Sequence, residues 1–357
     1  LNQLNRSPEV EYAEPNYIVT VTAVPNDPGF SNLWGFYNFG HSIESYNLGK
    51  FDADVDAPEA WDLAHDSNVA VGVIDTGIDY THPDLADNMW KNPGEIAGNG
   101  VDDDNNGYVD DIYGWDFVNN DNTPMDDVGH GTAVAGVIGA VGNNGLGVAG
   151  VNWKVKLVSI KFIGSNGAVN TYDAVKALGY ANMMGIKITN NSYGGGGFSQ
   201  AFHDMITAAN TDGSILVAGA GNSSSDNDRT PFYPASYDLP NVISVAATDQ
   251  NDNKALFSNY GAISVDVAAP GSGIYSTALR GGCFFCAFSD TDPYRSYSGT
   301  SLSGPFVAGA LALSLSVDPT IDHLMLKEKL LSSVDKIPAL DGKVASGGRL
   351  NLARFLF

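Results

Sequence analysis

Strand-like runs alternate with helix-like runs along most of this chain, and that alternation leaves few folds open. Residues 69–74, 155–160, 187–190, 215–218 and 242–246 read as strands, and residues 133–141, 174–184 and 202–211 read as helices. Strands joined through helices pair in parallel, because a parallel neighbour needs a crossover, and the helices then cover both faces of the sheet. The expected fold class is α/β, a doubly wound and mainly parallel sheet. A chain of 357 residues, 43% hydrophobic, can bury one large core and need not split. No internal repeat or low-complexity linker interrupts it.

Three short stretches fall at boundaries between these elements. Val71-Gly-Val-Ile-Asp-Thr-Gly77 ends an apolar strand on Asp75, while Gly129-His-Gly-Thr132 and Ser298-Gly-Thr-Ser-Leu-Ser-Gly-Pro305 place His130 and Ser301 where helix-like runs open. In a doubly wound sheet, strand carboxyl ends and the amino ends of the following helices share one edge, so the three side chains can converge. A serine hydroxyl is a poor nucleophile until an imidazole takes its proton, and the imidazole needs a carboxylate to fix its tautomer. Ser301, His130 and Asp75 suit those roles. A helix amino terminus disfavours the imidazolium and is expected to help His130 stay neutral, with Asp75 opposing it. Asn222, closing the run Ile215-Leu-Val-Ala-Gly-Ala-Gly-Asn222, can offer its amide to a developing oxyanion beside the Ser301 N–H.

These residues, in the order Asp, His, Ser, resemble the subtilisin-like serine proteases (subtilases), and the chain looks closest to their thermitase-like branch. The similarity covers about residues 24–357, including Thr248-Asp-Gln-Asn-Asp-Asn253, Phe257-Ser-Asn-Tyr-Gly261 and Ala268-Ala-Pro-Gly-Ser-Gly-Ile-Tyr-Ser276. An α/β-hydrolase esterase is disfavoured by the triad order and by Gly299-x-Ser-x-Ser303 in place of the Gly-x-Ser-x-Gly elbow. A non-catalytic module on the same fold would have lost one of the four residues, and all four are present. Ala133 and Phe306 stand where the family usually has histidines, and Ser303 and Gly304 replace a commoner pair.

The resemblance implies a serine endopeptidase working through an acyl-enzyme. It further implies that substrate adds as a strand between Gly167-Ala168-Val169 and Ser192-Tyr193-Gly194, with Gly195 continuing an open glycine run. The walls of the pocket for the side chain before the scissile bond (P1) would run along Tyr193 to Gly195 and along Ala218 to Gly221, with Gly219 between. Phe232 would stand at its far end, where relatives have a small or polar residue, its ring either turned inward to shorten the pocket or packed outward to leave a broad apolar preference.

Forty-one acids against eighteen bases give a net charge of −23, hostile to nucleic acid and to anionic membranes. Part of that excess falls in loops that resemble calcium sites, one expected to be occupied and up to three in all. The first joins Asp27, Asp84 and Asn144 to the carbonyls of Val141, Leu146 and Val148. The second offers Asp116, Asp121 and carbonyls of Thr123 and Met125, with Asn119 where an Asp is expected. The third begins a calcium loop with Asp102, Asp104, Asn106 and the Tyr108 carbonyl. It has Tyr113 at the position of the closing Glu, leaving Asp110 or Asp111 to complete the shell.

No run of 18 apolar residues marks a membrane span. Ser7-Pro-Glu-Val-Glu-Tyr-Ala-Glu-Pro-Asn-Tyr17 resembles the last strand of the inhibitory propeptide of secreted subtilases. The expectation is a secreted monomer with a propeptide remnant at 1–23, a catalytic domain at 24–357, peptide substrates, and its own propeptide as inhibitor and chaperone. Cys283 and Cys286, in an insertion-like loop, suit a local disulfide or free thiols better than a redox or zinc site.

Overall fold

The computed structural model describes residues 23–40, 49–165, 167, 169–279 and 292–357. The propeptide-like segment, Ala168 and the two cysteines lie outside the described residues. In chain order the elements are α1 (Ala57–Trp61), β1 (Asp66–Asp75), β2 (Gly114–Asp116), α2 (His130–Gly139), β3 (Lys154–Lys161) and α3 (Thr171–Met183). There follow β4 (Ile188–Asn191), α4 (Gln200–Thr211), β5 (Ile215–Gly219), β6 (Val242–Thr248), β7 (Val267–Pro270), β8 (Ile274–Thr277) and β9 (Tyr294–Tyr297). The chain closes with α5 (Thr300–Val317), α6 (His323–Ser332), β10 (Asp335–Lys336), β11 (Gly348–Arg349) and α7 (Leu352–Leu356).

Among the described residues, nine strands form one sheet in the order β10-β11-β7-β6-β5-β4-β1-β3-β2, within which only the β10–β11 pair is antiparallel. Because β1 pairs with both β3 and β4, the winding reverses there, and a crevice opens at the carboxyl ends of those strands. Asp75 is the last residue of β1, and Ser192 follows the end of β4. The strands β5 and β6 are buried along their whole length, as strands covered on both faces must be.

Helix α5 runs through the core, packed on α2, β1 and the strands β4 to β7. Among the described helices it alone is long and apolar enough to cross a membrane, and it is mostly buried inside the protein. A helix buried on nearly every side needs no polar face. This setting explains the two missing histidines: Ala133 and Phe306 are both buried, with the Phe306 ring 4.8 Å from that of Phe36.

At the far edge of the sheet, Asp56 meets β10 and the residues just after β11. Its carboxylate accepts from Asn351, while Asp54 accepts from the N–H groups of Asn38 and Asp56. Burial, then repulsion from Asp54 and Asp335, raises the Asp56 pKa to about 7, and burial raises that of Asp54 to about 6. An acid with a folded pKa above its unfolded value costs stability as pH rises between the two, here from about 4 to about 7. Asparagine at position 56 keeps the acceptor and tolerates the left-handed φ of 54°. Asp56→Asn is therefore expected to gain about 1–2 kcal/mol in urea unfolding near pH 8 and little near pH 4.5, after discounting for partial exposure. Equal gains at both pH values would exclude charge as the cause.

Candidate active site

Asp75 is fully buried and His130, the first residue of α2, has a side chain 27% exposed, so one is held in the protein and the other faces the crevice. His130 Nδ1 and Asp75 Oδ1 lie 2.7 Å apart, and the Thr76 N–H donates to the same oxygen at 2.7 Å. Gly131 makes the approach possible. A Cβ there would fall 2.0 Å from the Gly77 carbonyl oxygen and 3.2 Å from Asp75 Cβ. Burial lowers the His130 pKa, but the charge and hydrogen bond of Asp75 and the charge of Asp126 outweigh it, and the net direction is upward. Both carboxylates favour the imidazolium, opposing the helix terminus.

Ser301 occupies the first turn of α5, where backbone N–H groups lack intrahelical partners. Pro305, four residues on, has no N–H to give to the Ser301 carbonyl, and the Ser192 hydroxyl donates to it instead at 2.8 Å. The Asn190 amide fixes that hydroxyl at 2.8 Å. The Ser301 hydroxyl itself donates at 3.3 Å to the Ser192 carbonyl. Among the described residues no hydrogen bond joins it to His130, a bond that commonly tightens only around substrate.

Asn222 is exposed, and its Oδ1 accepts from the Thr300 N–H at 2.9 Å and the Thr300 hydroxyl at 3.0 Å. With its oxygen engaged, the amide nitrogen is free to donate. It lies beside the start of α5, where a Cβ on Gly299 would be 3.5 Å from Nδ2 and 3.7 Å from the Ser301 nitrogen. Thr300 also takes the Gly221 N–H at 3.1 Å, linking Asn222, Gly221 and the nucleophile's helix. Sequence reasoning missed Thr300 because its partners are some eighty residues away (separations of 78 and 79).

The described residues of the two expected substrate-binding segments flank the crevice but belong to no strand. Gly167 turns with a φ of 69°, Val169 is exposed, and Asn170 caps α3. Opposite them, Tyr193 packs edge-on to Phe162, and Gly194 and Gly195 are exposed. A cavity of about 220 Å³ lies between the segments, with Val169, Tyr193 and Gly194 on its walls and Phe162, Ala174 and Phe202 also lining it. The Phe232 ring lies between the two glycine walls. A Cβ on Gly194 would fall 2.2 Å from its Cε1, and one on Gly221 would fall 3.2 Å from its Cδ1. Gly219 sits behind, 3.0 Å from the Thr300 carbonyl oxygen by the same measure.

The three acidic loops differ in how well they suit calcium. Asp27 accepts from the N–H groups of Asn143 and Asn144, and Asp84 from the Asn144 amide and the Val148 N–H. Burial, with the charge of Asp27 adding, raises the Asp84 pKa to about 6. Two buried carboxylates that share Asn144 bring together the oxygen chemistry that calcium takes. In the loop at 102–111, Glu95, Asp104 and Asp111 offer oxygens within 4.8 Å of one another. Glu95 was not foreseen. Asp110 instead binds the N–H groups of Gly98, Asn99 and Gly100, so Asp111 is the one that faces the cluster. Asp102 accepts from the N–H groups of Asn106 and Gly107, and the Tyr108 ring packs on Trp115.

The remaining loop fits calcium least. Asp116 accepts from Val118 and Asn119, Asp121 from Thr123, and the Thr123 carbonyl from the Met125 N–H. Lys161, its side chain 2% exposed, donates to the Met125 carbonyl at 3.0 Å. The ammonium places a positive charge beside the carbonyl oxygen that a metal was expected to draw on.

A subtilase family model matches residues 66–349. Thermitase from Thermoactinomyces vulgaris is 36% identical over 327 residues, 92% of this chain and 97% of thermitase. A thermophilic serine proteinase from Bacillus sp. (strain AK1) is 35% identical over 98% of this chain and 73% of its own length. A solved protease structure from Pseudoalteromonas arctica superposes with a TM-score of 0.74 at 28% identity, covering 94% of this chain and 99% of that one. The nine-stranded sheet, the family match and two relatives aligned over most of their length agree, and the chain belongs to the subtilase family of serine endopeptidases.

Proposed function

We propose that this peptidase cleaves peptide bonds with Ser301 as nucleophile, His130 as general base and Asp75 as its orienting carboxylate. The observation that carries the reading is the 2.7 Å contact of His130 Nδ1 with buried Asp75 on the edge where α5 begins. Ser301 Oγ attacks the carbonyl carbon as His130 takes its proton, and the oxyanion draws on the Ser301 N–H and the Asn222 amide. Collapse expels the amine, which takes the proton back from His130 and leaves an acyl-enzyme. Water, activated by the same imidazole, then releases the acid and restores Ser301. Labelling with a fluorophosphonate followed by peptide mapping is expected to find the adduct on Ser301, and an adduct elsewhere would overturn the assignment.

The same proposal has the enzyme secreted, monomeric and released from an inhibitory propeptide, in keeping with the propeptide-like motif near the N-terminus. It is stabilised by calcium held by Asp27, Asp84, Asn144 and the neighbouring carbonyls, where an ion would offset clustered buried carboxylates. The substrate lies extended between Val169 and Gly194, and the apolar cavity there suits an aliphatic or aromatic side chain farther along the peptide.

Phe232 shortens the P1 pocket. Its ring fills space between Gly194 and Gly221, so Ala or Ser at P1 is expected to be cleaved faster than Phe or Tyr. Forcing an aromatic past the ring costs about 1–3 kcal/mol, roughly ten- to a hundredfold in kcat/KM. Phe232→Gly is expected to reverse the order. Unchanged relative rates for Phe and Ala at P1 would remove Phe232 from the pocket.

A further inference from the structure

A second carboxylate stands behind His130. Asp126 is buried, and its Oδ1 accepts from the Thr76 hydroxyl at 2.8 Å and from the N–H groups of Val128 at 2.9 Å and Gly129 at 2.8 Å. Its Oδ2 accepts from the Thr132 N–H at 2.9 Å and the Thr132 hydroxyl at 2.6 Å. Thr76 adjoins Asp75 in sequence, and its hydroxyl oxygen accepts the Gly131 N–H at 2.8 Å. One side chain thus ties the turn after the acid to the first turn of the helix that opens on the base.

Its charge matters beyond that scaffold. The amino end of α2 presents partial positive charge to His130, and an anion at that end cancels it. Burial pushes the Asp126 pKa above the usual carboxylate range, and its hydrogen bonds pull it only part of the way back. Every neighbour just named donates to the carboxylate, so a proton on either oxygen would displace a donor, which favours the ionised form. The groups facing this corner are Asp75 from β1, Asp126 from the loop before α2, and Tyr193 after β4, whose phenol burial and the Asp75 charge keep neutral. Lys161 from β3 is engaged by the Thr76 and Met125 carbonyls and by Asp127.

We propose that Asp126 is a positioning residue for peptide hydrolysis: a second buried negative charge that sets the pH at which His130 becomes a working base. The proposal rests on His130 being that base. A charge that favours the imidazolium raises the pH needed to free the imidazole, so its removal moves activity to lower pH.

The test is the pH profile of kcat/KM on a chromogenic peptide, with excess calcium throughout. Asp126→Asn is expected to shift the acid limb down by about 0.5–1 pH unit while keeping the plateau within about tenfold. Asp126→Glu, which keeps the charge, is expected to leave the limb in place. Asp126→Ser, which keeps a small hydrogen-bonding side chain in the loop, carries the same prediction as the Asn variant should that one not fold. A limb that stays put while the rate falls equally at every pH overturns the proposal, as does misfolding of both neutral variants. Fluorophosphonate labelling of the wild type separates the two readings: no adduct on Ser301 defeats the catalytic assignment, whereas labelling with an unshifted limb defeats only the role of Asp126.

Discussion

Replacing Ser301 with alanine is expected to cost about 10⁶-fold in kcat, the scale found for the related subtilisin triad, while leaving the fold intact. The side chain is small and only partly buried, and its hydroxyl makes one long hydrogen bond, to the Ser192 carbonyl at 3.3 Å. The strap that holds this turn uses the Ser301 carbonyl and the Ser192 hydroxyl, which the substitution leaves untouched. Unfolding free energy should therefore change by no more than about 0.5 kcal/mol. A residual rate of about 10³–10⁴ over water would be consistent, because binding and oxyanion donors survive. Activity within tenfold of wild type would sink the assignment.

Asn222→Ala belongs to the same experiment, with a loss of about 10²–10³ confined to kcat. Its interpretation needs a companion, because alanine also strips Thr300 of its acceptor. Asn222→Asp keeps that acceptor and removes the donor. An equal or larger loss in the aspartate variant would assign the effect to the missing N–H, and an effect on KM alone would count against an oxyanion role for Asn222.

The four central residues were legible because each ends a strand run or opens a helix run, and a doubly wound sheet brings such boundaries together. Long buried strands could be read for the same reason. The strands β10 and β11 are two residues each, too short to leave a period in the sequence. Supporting residues were hidden by distance along the chain. Asp126 bonds to Thr76, fifty residues away, and Glu95 becomes meaningful only beside Asp104 and Asp111. Asp110 and Asp111 are adjacent acids that local turns send to different partners, a choice that composition does not encode. The place of the Phe232 ring likewise depends on two glycines that follow separate strands.

A calcium chelator is expected to lower the melting temperature by at least about 4 °C and to hasten self-digestion. A ligand at a hundred times its Kd contributes about 2.7 kcal/mol, and the large unfolding entropy of a chain this long converts that into a modest shift. Measured in the inactive Ser301→Ala protein, the shift reports stability free of proteolysis. Asp84 decides where the ion acts. It is fully buried beside Asp27, and a cation would offset the burial that lifts its pKa as well as the repulsion from Asp27. Asp84→Asn should melt lower in calcium and respond little to chelator, because it loses the ligand charge while keeping an oxygen in place. Glu95→Gln with Asp104→Asn should leave most of the response, since that cluster is more open to solvent. If the response instead vanishes in the second variant and persists in the first, the stabilising ion sits in the 95–111 loop, and the Asp27–Asp84 site is not the one that matters. No response in the parent protein would reject a stabilising metal altogether.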